Sequence, residues 1–181
     1  MEKHPNIEYV MLSERKIARR IKALGAQLDK LYDGRKPVVV CILKGSSVFF
    51  SDLIRSMKTT LTVDFMEVSS YGSGTKSSGE LIIKKDLSTD ITGRDVLIVE
   101  DIIDSGNTLY NLKKLLIGRT PASVNIVTLL DKPARREAPI EPEYKGFVIE
   151  DEFVIGYGLD YAEEYRNLPY VGVLKRSVYE N

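Results

Sequence analysis

Residues 96–109 read Val96-Leu97-Ile98-Val99-Glu100-Asp101-Ile102-Ile103-Asp104-Ser105-Gly106-Asn107-Thr108-Leu109. The aliphatic run Val96–Val99 predicts a strand buried on both faces, the pattern of a parallel sheet. An acidic pair and a small polar loop follow it. Leu109, Leu112, Leu115 and Leu116 then repeat at helical spacing until Gly118. Strand, tight loop and helix in this order are a half-unit of an α/β fold, whose ligands bind beyond the carboxyl ends of the strands.

The same order recurs along the chain. Ser13 can cap a helix with apolar positions Ile17, Ile21, Leu24, Leu28 and Leu31. The cations beside them, Arg15, Lys16, Arg19, Arg20 and Lys22, read as a solvated helix face. The buried strand Val38–Leu43 stops at Lys44-Gly45-Ser46-Ser47, and Val48–Met57 resumes helical spacing with Ser46 or Ser47 as cap. Leu61–Ser69 alternates as a strand, with Leu61, Val63 and Phe65 on one side. The glycines and hydroxyls of Tyr71–Gly79 predict a mobile loop before a strand at Leu81-Ile82-Ile83. A Thr92-Gly93 turn precedes the decisive strand, and a further buried strand spans Val124–Leu130. The expectation is one α/β domain over residues 1–181, with a mainly parallel sheet flanked by helices.

Composition narrows the chemistry. The chain has 181 residues, 43% hydrophobic and 29% charged, which suits a globular rather than a disordered protein. Lys plus Arg balances Asp plus Glu at 26 each, so no global field draws it to nucleic acid. No apolar run approaches the ~20 residues of a membrane span, and the polar opening, Met1–Asn6, carries no secretory pattern. A lone cysteine, Cys41, sits within an apolar run, as expected of a buried thiol in a reducing cytoplasm.

Asp104–Thr108 offers free amide N–H groups, a permissive glycine and hydroxyls at a helix N-terminus, which suits a phosphate monoester. The plainer alternative is that Asp104 or Ser105 caps the helix. Glu100 and Asp101 would repel a phosphate unless they engaged hydroxyls or a metal, and a ribose diol with Mg²⁺ meets that need. No Gly-Lys-Ser/Thr loop and no Gly-x-Gly-x-x-Gly after a strand occurs, which argues against a nucleotide-triphosphate loop and a dinucleotide-binding oxidoreductase.

The segment Val99–Thr108 resembles the phosphoribosyl pyrophosphate signature of the type I phosphoribosyltransferases, and in detail their hypoxanthine/guanine branch. The similarity extends to Leu43-Lys44-Gly45-Ser46, Ser69-Ser70-Tyr71-Gly72, Leu129-Leu130-Asp131-Lys132-Pro133 and Phe153–Tyr161, so nearly the whole chain takes part. The resemblance implies the type I fold, with a small hood formed from the N- and C-terminal segments and a flexible flap at about residues 70–79, led by Ser70 and Tyr71. It implies Asp104 as general base near purine N7. Lys44, Gly45 and Arg166 would hold pyrophosphate, the first two on a backbone that is often cis in this family. Glu100, Asp101, Ser105, Gly106, Asn107 and Thr108 would hold the ribose phosphate, with Glu100, Asp101 and Asp160 toward Mg²⁺. Asn107 stands where other members carry lysine or arginine, which leaves the phosphate cradle less basic.

For the base, the resemblance implies Lys132 as donor to the 6-oxo oxygen, Phe153 as stacking partner, and the carbonyls of Val154 and Asp160 as acceptors from a 2-amino group. Read alone, Phe153 is nearly as well a core residue, Lys44 and Arg166 surface cations, and Asp160 a turn residue. A lysine has donors and no acceptor, which counts against adenine. The activity implied is transfer of a phosphoribosyl group to hypoxanthine or guanine by a cytoplasmic homodimer or homotetramer. A xanthine-preferring enzyme and a non-catalytic nucleotide sensor of the same fold are the alternatives.

Overall fold

The computed structural model describes residues 3–70 and 81–180. A six-stranded sheet is ordered β4-β3-β2-β5-β6-β7. Its strands are β2 (Val38–Leu43), β3 (Thr62–Ser70), β4 (Leu81–Lys85), β5 (Asp95–Ile103), β6 (Ser123–Asp131) and β7 (Tyr144–Val148). All neighbours run parallel except β4, which is antiparallel to β3 and forms one edge. The helices α1 (Glu14–Leu31), α2 (Ser47–Ser56) and α3 (Asn107–Ile117) cover its faces.

The apolar runs form the central strands because both faces are covered. Val39, Cys41, Leu97, Val99, Val127 and Leu129 point into a core shared with α1 and α2. Val38, Val40, Ile42, Val96, Ile98 and Ile126 point the other way, toward Leu109, Leu112 and Leu116 of α3. Cys41 is fully buried, and burial pushes its thiol up to about 11.

Local chemistry departs from expectation at several points. Ser13 caps α1 by accepting from the Lys16 amide, but the hydroxyl of Ser46, the residue before α2, donates back to the Ile42 carbonyl at 2.6 Å. Val63 is exposed, whereas Asp64 and Met66 on the opposite face of β3 are buried. Burial pushes Asp64 upward, yet hydrogen bonds from Phe65, Thr89 and Ser88 together outweigh it and leave the carboxyl below its ordinary range. Gly118 ends α3 in right-handed geometry, and the left-handed residue is Thr120.

The two ends of the chain meet in a second sheet, ordered β1-β9-β8 and antiparallel, from β1 (Ile7–Leu12), β8 (Val154–Ile155) and β9 (Val171–Leu174). A short helix α4 (Arg176–Tyr179) follows. None of these elements, nor β7, is marked by the apolar runs that reveal the main sheet. No helix among the described residues is long and apolar enough to cross a membrane.

Arg20 is not part of the wet face of α1. Its guanidinium donates to the Gly146 carbonyl at 2.8 Å and to the Lys145 carbonyl, tying α1 to β7. Hydrogen bonds from a charged group contribute about 1.5–3 kcal/mol, so Arg20→Ala is expected to lower the unfolding free energy by about that amount. Arg19→Ala, one residue away and exposed, should change it by less than about 0.5 kcal/mol. Denaturant unfolding of the two variants checks the difference.

Candidate active site

Strand β5 runs further than its aliphatic part, through Glu100 and Asp101 to Ile103, with Glu100 opposite Thr128 and Ile103 opposite Asp131 of β6. The acidic pair therefore lies within the strand rather than after it. Main-chain hydrogen bonding fixes both residues: the Ile102 amide donates to Asp101 Oδ1 at 2.7 Å, and the Asp101 amide to Glu100 Oε2 at 3.1 Å. Desolvation, then repulsion from Asp101, holds Glu100 well above the usual carboxylate range. Asp101 is also raised by desolvation, against the opposing pull of the Ile102 amide, Glu100 and Arg166.

The loop from β5 to α3 places Gly106 in the left-handed region at φ 81° as the residue before the helix, with no side chain capping it. Capping by Asp104 is thereby excluded, and Ser105 Oγ reaches the Asn107 amide only at 3.4 Å. The first-turn amides of α3 have no intrahelical carbonyl to meet, which is the property a phosphate uses. The loop is braced from outside. Ser105 O accepts from the amides of Glu137 and Ala138, and Asn107 Nδ2 donates to Glu137 at 2.8 Å.

A peptide bond of cis geometry joins Leu43 to Lys44 at the end of β2, where the resemblance puts one. A β-carbon on Gly45 would overlap the Asp101 carboxylate, and one on Gly158 (φ 100°) would overlap the Gly45 carbonyl. Arg166 Nη1 donates to the Gly158 carbonyl at 2.8 Å, and its Nη2 lies 2.8 Å from Asp160 Oδ1. Lys44 reaches the same group through Glu163 Oε2, at 3.1 Å.

Beyond the ends of β5 and β6 lies a cavity of about 310 Å³. Asp101, Asp104, Lys132, Phe153, Val154 and Asp160, all anticipated from sequence, line it together with Ile102, Arg135 and Leu159. A larger groove of about 450 Å³ between α1 and α2 is lined by Ala18, Ile21, Lys22, Asp52, Arg55 and Ser56. That groove gathers no comparable acid, base and aromatic set, so chemistry rather than volume marks the site.

Lys132 is 6% exposed, its amide donates to the Ile103 carbonyl at 2.9 Å, and its ammonium lies 3.7 Å from Asp151 Oδ1. Phe153 is 38% exposed, which removes the core reading. It stacks on Tyr179 at 4.7 Å and meets Tyr161 edge-on. Asp104 Oδ1 is shut from solvent and accepts no hydrogen bond among the described residues, although Arg135 Nε stands 3.1 Å away in poor alignment. Asp104 thus lines the cavity with Arg135 as its ion-pair partner.

Arg135, Asp151 and Glu163 escaped the sequence reading. The Arg135-Arg136 pair following Lys132 was the available signal for the first, but its aim depends on a single 3-10 turn at Pro133–Arg135. Ser70 ends β3; the expected flap residues, Tyr71 to Gly79, lie outside the described residues. Among those described, no group of three or more His, Cys, Asp or Glu side chains forms a ready metal cluster.

A mainly parallel sheet with a polar loop opening a helix at the end of β5, and a cavity beside it, is the arrangement expected above of a phosphoribosyltransferase. The chain belongs to that family, since residues 11–162 match the phosphoribosyl transferase domain. Within the family it falls among the hypoxanthine-guanine phosphoribosyltransferases. It is 54% identical to the hypoxanthine-guanine phosphoribosyltransferase of Bacillus subtilis over the full length of both. A crystal structure of a hypoxanthine phosphoribosyltransferase from Staphylococcus aureus superposes with a TM-score of 0.96 at 55% identity, covering 98% of this chain and 97% of that one. The chain is also 55% identical, over 97% of its length, to the bifunctional protein TilS/HprT of Listeria innocua, of which it spans 27%.

Because Glu100 keeps its proton in the folded state above the ordinary value of 4.5, the unfolded chain releases a proton first as pH rises. Stability therefore falls from about that pH upward, through the raised value of the folded protein. Glu100→Gln, which never ionises, should melt at a higher temperature than the parent at pH 8 without divalent cations. The difference should shrink toward pH 4, as calorimetry at the two pH values would show.

Proposed function

We propose that the chain is a hypoxanthine-guanine phosphoribosyltransferase of purine salvage, joining a 6-oxopurine to the ribose of 5-phosphoribosyl 1-pyrophosphate with release of pyrophosphate. The observation that carries this reading is a single cavity in which a nearly buried lysine, a part-exposed aromatic ring and the Asp104 carboxylate converge. Lys132 donates to the 6-oxo oxygen, and a 6-amino group would set donor against donor there. Phe153 stacks on the base, with the Val154 and Asp160 carbonyls as acceptors for a 2-amino group.

Asp104 takes the proton at N7 as the purine bonds to C1 of the ribose, and its negative charge steadies the oxocarbenium character left by departing pyrophosphate. The amides and hydroxyls of Ser105, Gly106, Asn107 and Thr108 hold the 5-phosphate. Lys44, Gly45 and Arg166 orient the pyrophosphate, a planar guanidinium gripping two phosphate oxygens at once. The small sheet from the two chain ends serves as hood.

Mg²⁺ is the implied cofactor, and the residues fit it. Glu100 and Asp101 offer hard oxygen donors whose crowding favours a nearby cation, while Asp160 stands on the pyrophosphate side. When bound, the ion would neutralise negative charge on the leaving pyrophosphate. A cytoplasmic homodimer or homotetramer completes the reading.

Supplied with phosphoribosyl pyrophosphate and Mg²⁺, the protein should turn over hypoxanthine and guanine and not adenine. Use of adenine alone would defeat the Lys132 argument. Asp104→Asn should lower kcat by about 10²- to 10⁴-fold with little change in substrate affinity. An unimpaired variant would strip Asp104 of its role as base.

A further inference from the structure

Glu163 stands where a phosphate oxygen would be expected. Its Oε2 accepts from Lys44 Nζ at 3.1 Å and from Arg166 Nη2 at 3.2 Å, joining two cations that belong to separate loops. Lys44, and to a lesser extent Arg166, holds the Glu163 carboxyl below its ordinary range. All three side chains reach solvent, so the bridge is open to displacement.

The backbone presents this carboxylate against its own preference. Tyr161 and Glu164 exchange hydrogen bonds across a two-residue turn, from Tyr161 N to Glu164 O at 3.3 Å and from Glu164 N to Tyr161 O at 3.0 Å. Its central residues, Ala162 and Glu163, lie at φ 52° and 66°. A turn with positive φ at both central positions is ordinarily built from Asn and Gly, and neither is present. Asp160 Oδ2 reinforces the geometry by accepting from the Glu163 amide at 2.9 Å. A non-glycine residue kept in this region by its surroundings is the kind of outlier found where side-chain direction matters.

We propose that Glu163 is a built-in counter-anion of the pyrophosphate subsite: in the free protein it bridges Lys44 and Arg166, and pyrophosphate must displace it to bind. This rests on the reading of Lys44 and Arg166 as pyrophosphate contacts. Without Glu163, Lys44 would lose its carboxylate partner and Arg166 the more distant of its two, Asp160 Oδ1 remaining at 2.8 Å, and the pair would hold the leaving group more strongly after the reaction. With Glu163 in place they remain oriented, and departing pyrophosphate is replaced by a carboxylate already tethered beside them. Glu163 is thus a positioning and release residue that touches the cations rather than the reacting atoms.

The test is the inhibition constant of pyrophosphate against phosphoribosyl pyrophosphate in the forward reaction with Mg²⁺, for the parent, Glu163→Gln and Glu163→Asn. Asparagine also suits the positive φ of the turn, so that variant keeps the fold while removing the charge. Exposed ion pairs of this kind convert to roughly 2- to 30-fold for the two together, and both variants should bind pyrophosphate more tightly by about that factor. The KM for phosphoribosyl pyrophosphate should fall in parallel while that for the purine holds. An unchanged or weakened inhibition constant in both variants overturns the inference. Arg166→Gln separates the two layers: it should weaken pyrophosphate binding, and if it does not, the subsite reading itself fails and takes this inference with it.

Discussion

The Asp101 carboxylate occupies the space in which any side chain on Gly45 would lie, and Gly158 in turn backs onto the Gly45 carbonyl. This close packing joins three segments far apart in sequence: the end of β2, the end of β5, and the turn after β8. Only glycine permits the approach at two of the three points. The parallel pairing of β2 with β5 supplies the coarse alignment by setting Val38 beside Val96 and Cys41 beside Val99. The steric lock supplies the last ångström, bringing the Lys44 loop against the acidic pair and the turn bearing Asp160. The placement of Lys44, Asp101 and the Asp160 turn relative to one another inherits that registration.

Charge is the second constraint. The free site is neutralised from within: Lys132 faces Asp151, Arg135 lies between Asp104 and Asp151, and Arg166 lies against Asp160 and Glu163. All but Arg166–Asp160, which is part-buried on both sides, are solvent-exposed on at least one side, so those pairs are weak and can be exchanged without a large desolvation cost. Glu100 and Asp101 are the exception, two crowded carboxyls with no ion pair among the described residues, only the electrostatic pull of Arg166 on Asp101, and with protonation favoured by burial. On the proposed reading, a diol and a divalent ion would meet the largest unsatisfied demand of the site there. The overall balance of 26 basic and 26 acidic residues is consistent with recognition made locally rather than by a long-range field.

Much of this was legible in the sequence, for identifiable reasons. The strands β2, β5 and β6 are covered on both faces, so their apolar runs admit little else, and α1 and α3 show their buried stripes plainly. The small sheet was not legible because Ile7–Leu12 buries only its first and last residues, and its partner β9 lies at the other end of the chain. Asp104, Lys132 and Asp160 were found as members of motifs, whereas Arg135 and Asp151 acquire meaning only when a 3-10 turn and a loop bring them to the cavity. The positive φ values at Tyr157, Ala162, Glu163 and Tyr165 were invisible too, since none of these residues advertises a left-handed backbone as glycine or asparagine would.

The base-binding wall shows how the two sheets cooperate. Lys132 follows β6, and its neighbour Asp131, 1% exposed, is held by Arg136 and by Lys145 of β7 at 2.7 Å. Arg136 also donates to the carbonyls of Asp104, at 3.1 Å, and Ile140, at 2.7 Å, so one buried cation fixes the main chain on both the lysine and the carboxylate sides of the cavity. The opposite wall, Phe153 and Val154, belongs to the small sheet, where the Leu174 amide donates to the Phe153 carbonyl at 2.9 Å and Tyr179 of α4 stacks on the ring. On the proposed reading, a purine between these walls would meet polar groups whose positions are set by the main sheet and an aromatic face set by the chain ends. Its recognition would then be sensitive to the packing of β1 and β9 against β8 as well as to the residues that touch it.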